Sequence, residues 1–75
     1  MFSKEIFSER LKALRASKGI KQSDLADLIG VRNTTVSMME GGQRAPSAEV
    51  MYSLADYFDV SLDYLVGRSD EPRRR

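Results

Sequence analysis

Residues 22–42 read QSDLADLIGVRNTTVSMMEGG, and this stretch decides the fold. Its first half places Leu25, Ala26 and Ile29 on one helical face, with the small Ala26 suited to a close helix crossing. Gly30 then ends the helix, because glycine adopts a positive φ without steric cost. The first half therefore predicts a short helix followed by a sharp turn.

The second half of the stretch predicts another short helix with two different faces. One face is mostly apolar and turned towards the protein, at Val36, Met39 and Glu40. The other carries mostly small or polar side chains, at Thr34, Ser37, Met38 and Gly41. Such a helix fits a groove of DNA, so the two helices form a candidate helix-turn-helix. A plain helical hairpin is the alternative, because each feature alone is common in all-α proteins.

The same stretch and the residues after it resemble a known family. The pattern is similar to DNA-binding domains of the Cro and lambda-repressor type, called XRE-like, at Leu25-Ala26, Gly30-Val31, Val36, Glu40, Gly42, Pro46-Ser47, Leu54-Ala55 and residues 60–65. The resemblance covers about residues 5–67. It implies a bacterial or phage protein with an all-α fold, a compact five-helix bundle whose third helix reads the major groove.

The flanking residues predict the other three helices. Apolar spacing predicts a first helix from about Phe7 to Lys18, after a frayed start at residues 1–4, and leaves Ser3 and Ser8 as alternative caps. Ser47 is expected to cap a fourth helix whose buried stripe is Val50, Met51, Leu54, Ala55 and Phe58. Ser61 is expected to cap a short fifth helix that ends at Gly67.

Two positions depart from the family pattern. Where the family usually has a capping Ser or Thr, this chain has Lys21 and Arg32, which cannot accept a hydrogen bond from helix N–H groups. We expect Asn33 to cap the third helix one residue later instead. Residues 1–67 are thus interpreted as one helix-turn-helix domain, and residues 68–75, with three terminal arginines, as a flexible basic tail.

Composition narrows the function classes. The 75 residues allow one domain with a small core, and they contain neither cysteine nor histidine. A disulfide framework and a thiolate or imidazole metal site are therefore excluded, and no metal or cofactor is expected. No pair of catalytic side chains is brought together, so we do not expect an enzyme. Without an apolar run long enough for a bilayer or a signal peptide, the expected location is cytoplasmic.

Charge is distributed unevenly although its sum is only +1. Residues 1–46 hold eight Lys/Arg against five Asp/Glu, whereas residues 47–67 hold four acids and no Lys/Arg. This asymmetry would orient the basic part, which contains the helix-turn-helix, towards a polyanion. A random scatter of solvated charges is the alternative.

The resemblance and the residue chemistry together assign the candidate contacts with double-stranded DNA. The candidate phosphate contacts are Gln22, Arg32, Thr35, Gln43 and Arg44. The loop around Gly41-Gly42 could also bring its amides near phosphates, although it could equally be a plain connector. The candidate base contacts, on the third helix, are Asn33, Thr34, Ser37 and Met38, where Asn suits adenine and a methyl suits thymine.

An ion pair is predicted between Arg15 and Glu40. Glu40 lies beside the inner apolar residues of the third helix, where a lone carboxylate would be costly, and Arg15 borders the apolar stripe of the first helix. The resembling family commonly pairs an arginine and a glutamate at these two positions. The alternative is two solvated charges.

The leading functional hypothesis is a sequence-specific DNA-binding transcriptional regulator, namely a repressor of an inverted-repeat operator. Since one such domain reads few base pairs, we expect a homodimer on DNA, with its interface at Leu62, Tyr64, Leu65 and Val66. The second hypothesis is a protein-interaction module, such as an antitoxin or the target of an anti-repressor, that uses the exposed tyrosines Tyr52, Tyr57 and Tyr64.

Overall fold

Five α-helices make up the computed structural model, which describes residues 2–74. They are α1 (Lys4–Lys18), α2 (Gln22–Ile29), α3 (Asn33–Glu40), α4 (Ala48–Phe58) and α5 (Leu62–Leu65). No strand occurs among the described residues. The helix α3 packs on α1 and α2, whereas α5 packs on α1 and α4. The predicted all-α, five-helix fold is confirmed.

The first helix begins earlier than the sequence predicts. Ser3 is its cap, because the Ser3 hydroxyl accepts a hydrogen bond from the backbone N–H of Ile6 at 3.2 Å. The Ser8 hydroxyl instead donates to the carbonyl of Glu5 inside the helix, at 2.9 Å. The expectation of a frayed start is therefore wrong for Lys4, which is helical, while Met1 lies outside the described residues.

Neither cap residue of the helix-turn-helix makes a side-chain capping bond, as Lys21 and Arg32 predict, although the Asp24 carboxylate accepts from the backbone N–H of Lys21 at 3.1 Å. The prediction that Asn33 caps α3 is wrong, because Asn33 is the first helical residue and Arg32 occupies the cap position. The backbone of Arg32 is extended, with φ −76° and ψ 151°, and its carbonyl accepts from the N–H of Thr35 at 3.0 Å. Backbone geometry alone is enough to begin the helix there.

The turn between α2 and α3 has the predicted form. Gly30 adopts φ 72°, and the N–H of Val31 donates to the carbonyl of Ala26 at 3.0 Å. Ala26 is only 2% exposed. The small side chain of Ala26 is therefore buried in α2, next to the turn that leads into α3.

The last two helices have side-chain caps at the predicted serines. The Ser47 hydroxyl accepts from the N–H of Val50, and the Ser61 hydroxyl accepts from the N–H of Tyr64. Between the helices, Asp59 adopts φ 56°, a left-handed conformation that aspartate tolerates better than most residues. The fifth helix ends at Leu65, two residues before the predicted Gly67.

Every helix contributes to a single hydrophobic core, and α5 contributes its last residue. The fully or nearly fully buried apolar residues are Phe7, Leu11, Leu25, Ala26, Val36, Met39, Leu54, Ala55, Phe58, Val60 and Leu65. The predicted apolar stripes of α1 and α4 largely face this core, with Leu14, Val50 and Met51 only partly buried at its edge. Within residues 2–74, no helix is long and apolar enough to cross a membrane.

The segment after α5 lies against the domain. The N–H groups of Arg68 and Ser69 both donate to the carbonyl of Asp63, at 2.8 and 3.2 Å. Further along, the N–H of Ser61 donates to the carbonyl of Pro72 at 2.9 Å. The described part of the tail, residues 68–74, therefore contacts α5. The domain boundary at residue 67 and the flexibility of residues 68–75 stay predictions, and Arg75 lies outside the described residues.

Because the Lys21 side chain makes no capping hydrogen bond at the start of α2, we expect a capping residue there to stabilise the protein. Replacing Lys21 by Ser should raise the free energy of unfolding by about 0.5–1 kcal/mol, because the hydroxyl can accept from an otherwise unpaired N–H of α2. Ser47→Ala is the matched control and should lower it by about 1 kcal/mol. Thermal unfolding followed by circular dichroism measures both, at about 4–8 °C per kcal/mol for a domain of this size. A lower melting temperature for Lys21→Ser would contradict the assignment.

Candidate nucleic-acid interface

The solvent side of α3 presents the side chains assigned to DNA bases. Thr34, Ser37 and Met38 are exposed, and Met38 is 39% exposed although it is a large apolar residue. Asn33 is exposed at the N-terminal end of the same helix. The opposite face is buried at Val36, Met39 and Glu40. The four candidate base contacts therefore lie on one exposed helical surface.

The five candidate phosphate contacts are placed unequally around α3. Arg32, in the turn before α3, and Gln43 and Arg44, in the loop after it, are exposed. Thr35 and Gln22 are half-buried. Two arginines thus flank the two ends of the exposed surface of α3, where cations would meet the phosphates on either side of a groove.

The loop after α3 uses its own amides to end the helix. The N–H groups of Gly41, Gly42 and Gln43 donate to carbonyls in the last turn of α3, at 2.9, 3.3 and 3.0 Å. Because each of these amides already has a partner, the geometry favours the plain connector over amides that face phosphates. The loop also carries the exposed side chains of Gln43 and Arg44, and neither makes a side-chain hydrogen bond within residues 2–74.

The structure brings Arg15 and Glu40 together. The Nε of Arg15 donates to Oε2 of Glu40 at 2.6 Å, and Nη2 of Arg15 donates to Oε1 at 3.0 Å. This is a two-pronged pairing of a guanidinium with a carboxylate, which fixes angle as well as distance. The side chain of Glu40 is 3% exposed, and Nη1 of Arg15 also donates to the carbonyl of Ile20 at 2.8 Å. The pair joins α1 to the end of α3.

The neighbouring glutamate also shifts the ionisation of the arginine. The hydrogen bond to Glu40 raises the pKa of the Arg15 guanidinium above its ordinary value, and partial burial opposes this. Because the shift is upward, the pair loses the arginine charge only at very alkaline pH. Arg15 therefore remains charged throughout the physiological range.

Gln22 has a partner that the sequence does not predict. Its Nε2 donates to Oε1 of Glu40 at 3.0 Å, so the carboxylate accepts from α1 and from α2. Gln22 is the first residue of α2, and Glu40 is the last residue of α3. No spacing rule connects positions 22 and 40. The one available signal was that a buried carboxylate has room for more donors than one guanidinium supplies.

Arg10 is a second residue that sequence reasoning missed. Its guanidinium lies 4.2 Å from the centroid of the Tyr64 ring and donates to the carbonyls of Tyr64 and Ser69. It also pairs with Asp70 at 2.9 Å, although that carboxylate is exposed. Arg10 therefore joins α1, α5 and the segment after it.

The predicted dimer residues are not equally accessible. Leu62, Tyr64 and Val66 are half-buried, but Leu65 is 0% exposed. The assignment of Leu65 to a dimer interface is wrong, because α5 is a single turn and turns Leu65 into the core. The other three keep some accessible surface.

The three tyrosines proposed for a protein-interaction module differ in exposure. Tyr57 packs its ring against Phe58, with 4.9 Å between centroids, and Tyr64 lies under Arg10. Tyr52 alone of the three is classed as exposed, at 60%. The described residues also contain no cluster of acidic side chains that could hold a metal ion.

Comparison with known proteins places this geometry in a family. A helix-turn-helix family model matches residues 11–65. The regulator AnsR of Bacillus subtilis, described as an HTH-type transcriptional regulator, is 40% identical over 63 residues, which cover 84% of this chain and 54% of AnsR. The chain belongs to the XRE-type helix-turn-helix family.

Solved structures agree with this fold. The P22 c2 repressor, crystallised in complex with a synthetic operator, matches with a TM-score of 0.81 and 30% identity, covering 85% of this chain and 97% of that chain. The SOS-response repressor LexA of Eubacterium rectale matches with a TM-score of 0.82 and 33% identity, covering 85% and 68%. The chain spans only 54% and 58% of two curated relatives, AnsR and the uncharacterised regulator YqaE of Bacillus subtilis.

The ion pair predicts a large effect of removing one partner. Arg15→Met should lower the free energy of unfolding by roughly 3–5 kcal/mol, because Glu40 stays buried and loses its charged partner. Chemical denaturation monitored by circular dichroism measures the change. The control is Arg32→Met, at an exposed arginine, which should change stability by no more than about 0.5 kcal/mol. Equal stability of Arg15→Met and the parent would show that Glu40 needs no cation.

Proposed function

We propose that this chain is the sequence-specific DNA-binding part of a transcriptional repressor, which inserts α3 into the major groove. The observation that carries the proposal is the exposed face of α3, which gathers Asn33, Thr34, Ser37 and Met38 on one surface. Met38 is 39% exposed, which is unfavourable for a large apolar side chain in water and suits contact with a thymine methyl.

The arrangement around α3 supports a division of labour. Arg32 and Arg44 supply positive charge at its two ends and would meet phosphates, which position the protein but carry no sequence information. Asn33 would pair with adenine through its amide, which offers a donor and an acceptor to the base edge. The remaining candidates Gln22, Thr35 and Gln43 would add neutral hydrogen bonds to phosphates.

Similarity to two named repressors favours repression over activation. The P22 c2 repressor was solved with an operator, and its fold matches this chain over most of both lengths. We propose the same kind of target here, a double-stranded operator with inverted half-sites, bound by a homodimer through Leu62, Tyr64 and Val66. We propose that the protein acts on such DNA in the cytoplasm. Tyr57 and Tyr64 are half-buried, which favours this function over a module that would use them to bind another protein.

Selection from a random DNA pool tests the proposed function. We expect an enriched inverted repeat whose half-sites lie about one helical turn, roughly 10 base pairs, apart. With roughly 3–5 phosphate contacts per protomer, log affinity against log salt should have a slope on the order of −5 to −9 for the dimer. Failure to enrich any sequence, or an affinity that stays flat between low and moderate salt, would refute the proposal.

The roles of individual residues are separable by substitution. Asn33→Ala and Met38→Ala should relax the preference at particular base pairs, by about 1–3 kcal/mol for a good bidentate contact. Arg44→Ala should weaken all sequences alike and reduce the salt slope by about one. Binding to a panel of singly substituted operators distinguishes these patterns. The assignment is reversed if Arg44→Ala changes base preference while Asn33→Ala leaves it unaltered.

A further inference from the structure

Gln22 differs from the other candidate phosphate contacts in having an internal partner. Its Nε2 lies 3.0 Å from Oε1 of Glu40. Within residues 2–74, the side chains of Arg32, Thr35, Gln43 and Arg44 have no such bond. Gln22 is only half-buried, so its amide lies between a buried carboxylate and the surface.

The partner determines which end of the amide faces inward. A glutamine amide has a donor end, Nε2, and an acceptor end, Oε1. Both oxygens of Glu40 accept hydrogen bonds from Arg15, so the carboxylate acts as an acceptor towards its neighbours. Only the Nε2 end of Gln22 can therefore face Glu40, and one of its two N–H bonds is used there.

We infer that Glu40 is a positioning residue for DNA binding that acts through Gln22. By holding the Nε2 end of the amide, it directs the second N–H of that nitrogen towards a DNA phosphate. A phosphate oxygen accepts hydrogen bonds and cannot donate one, so only the nitrogen end of the amide is productive. The inference rests on the proposed function, because it assumes that Gln22 approaches DNA.

The physical gain is pre-organisation. A free glutamine on a surface rotates its amide and presents either end, and ordering that side chain opposes binding. Here the ordering is done in the folded protein by a carboxylate that Arg15 holds in place through two hydrogen bonds. The hydrogen bond between Gln22 and Glu40 thereby links the phosphate contact of α2 to the end of α3. The two helices would then approach DNA with a fixed relative orientation.

Two substitutions at Gln22 test which end of the amide is used. Gln22→Met keeps the length and removes both polar ends, so affinity for the selected operator should fall about tenfold or more. Gln22→Glu keeps the acceptor but loses the donor and places a second carboxylate beside Glu40, so it should bind more weakly still. Parent-like binding by Gln22→Glu would show that the oxygen end is the functional one. Parent-like binding by Gln22→Met would show that Gln22 makes no contact.

A double-mutant cycle tests whether Glu40 acts through Gln22. Glu40→Gln should reduce affinity in the parent, and by a clearly smaller factor in the Gln22→Met background. An equal loss in both backgrounds would overturn the inference, because Glu40 would then act on DNA binding without Gln22. All affinities are measured where circular dichroism shows each variant folded. Should Glu40→Gln fail to fold, Glu40→Asp takes its place in the cycle, because it keeps a carboxylate for Arg15 and shortens the reach to Gln22, and an equal loss in both backgrounds again overturns the inference.

Neutral phosphates supply a readout that a purely structural role would not change. Operators carrying a single methylphosphonate at each position in turn should reveal one phosphate to which the parent is sensitive and Gln22→Met and Glu40→Gln are not. The control is the phosphate position at which the parent is sensitive to methylphosphonate and Arg44→Ala is not. Gln22→Met and Glu40→Gln should both remain sensitive at that position. An unchanged pattern in Gln22→Met would overturn the inference. The proposed function is tested by a different result: it is wrong if the parent protein selects no sequence from the random DNA pool.

Discussion

The buried carboxylate of Glu40 is the constraint on which the arrangement of the first three helices depends. A charge that is 3% exposed persists only where donors meet it, and here they come from Arg15 on α1 and Gln22 on α2. Apolar contacts in the core have no preferred direction, whereas these hydrogen bonds do. The core therefore makes the bundle stable, and the carboxylate determines the angle at which α3 leaves it.

Much of this arrangement is readable from the sequence. Periodicity predicts all five helices, and serine at positions 47 and 61 predicts the start of α4 and α5, because each signal is local to the helix that it describes. The pairing of Arg15 with Glu40 can also be predicted from the sequence. Each residue carries a charge beside an apolar face, so each needs a partner, and the family resemblance indicates which one.

The errors arise where a residue's environment is set by distant parts of the chain. The burial of Leu65 depends on α5 being one turn long and packed on both α1 and α4, which no local pattern reveals. The bond from Gln22 to Glu40 depends on how two helices cross. Asn33 was misplaced for a different reason: Arg32 supplies the backbone geometry of a cap without the side chain of one.

The residues at the cap positions of α2 and α3 have an electrostatic consequence. Lys21 and Arg32 each place a positive charge close to the positive end of a helix, and neither side chain makes the capping hydrogen bond that a serine or threonine could make there. In the free domain this combination is unfavourable twice over, whereas a nearby polyanion would relieve it. A polyanion that binds beside these two helix starts would thus be attracted by both charges and would stabilise the folded domain. The melting temperature of the free domain would then be lower than that of its complex with such a polyanion.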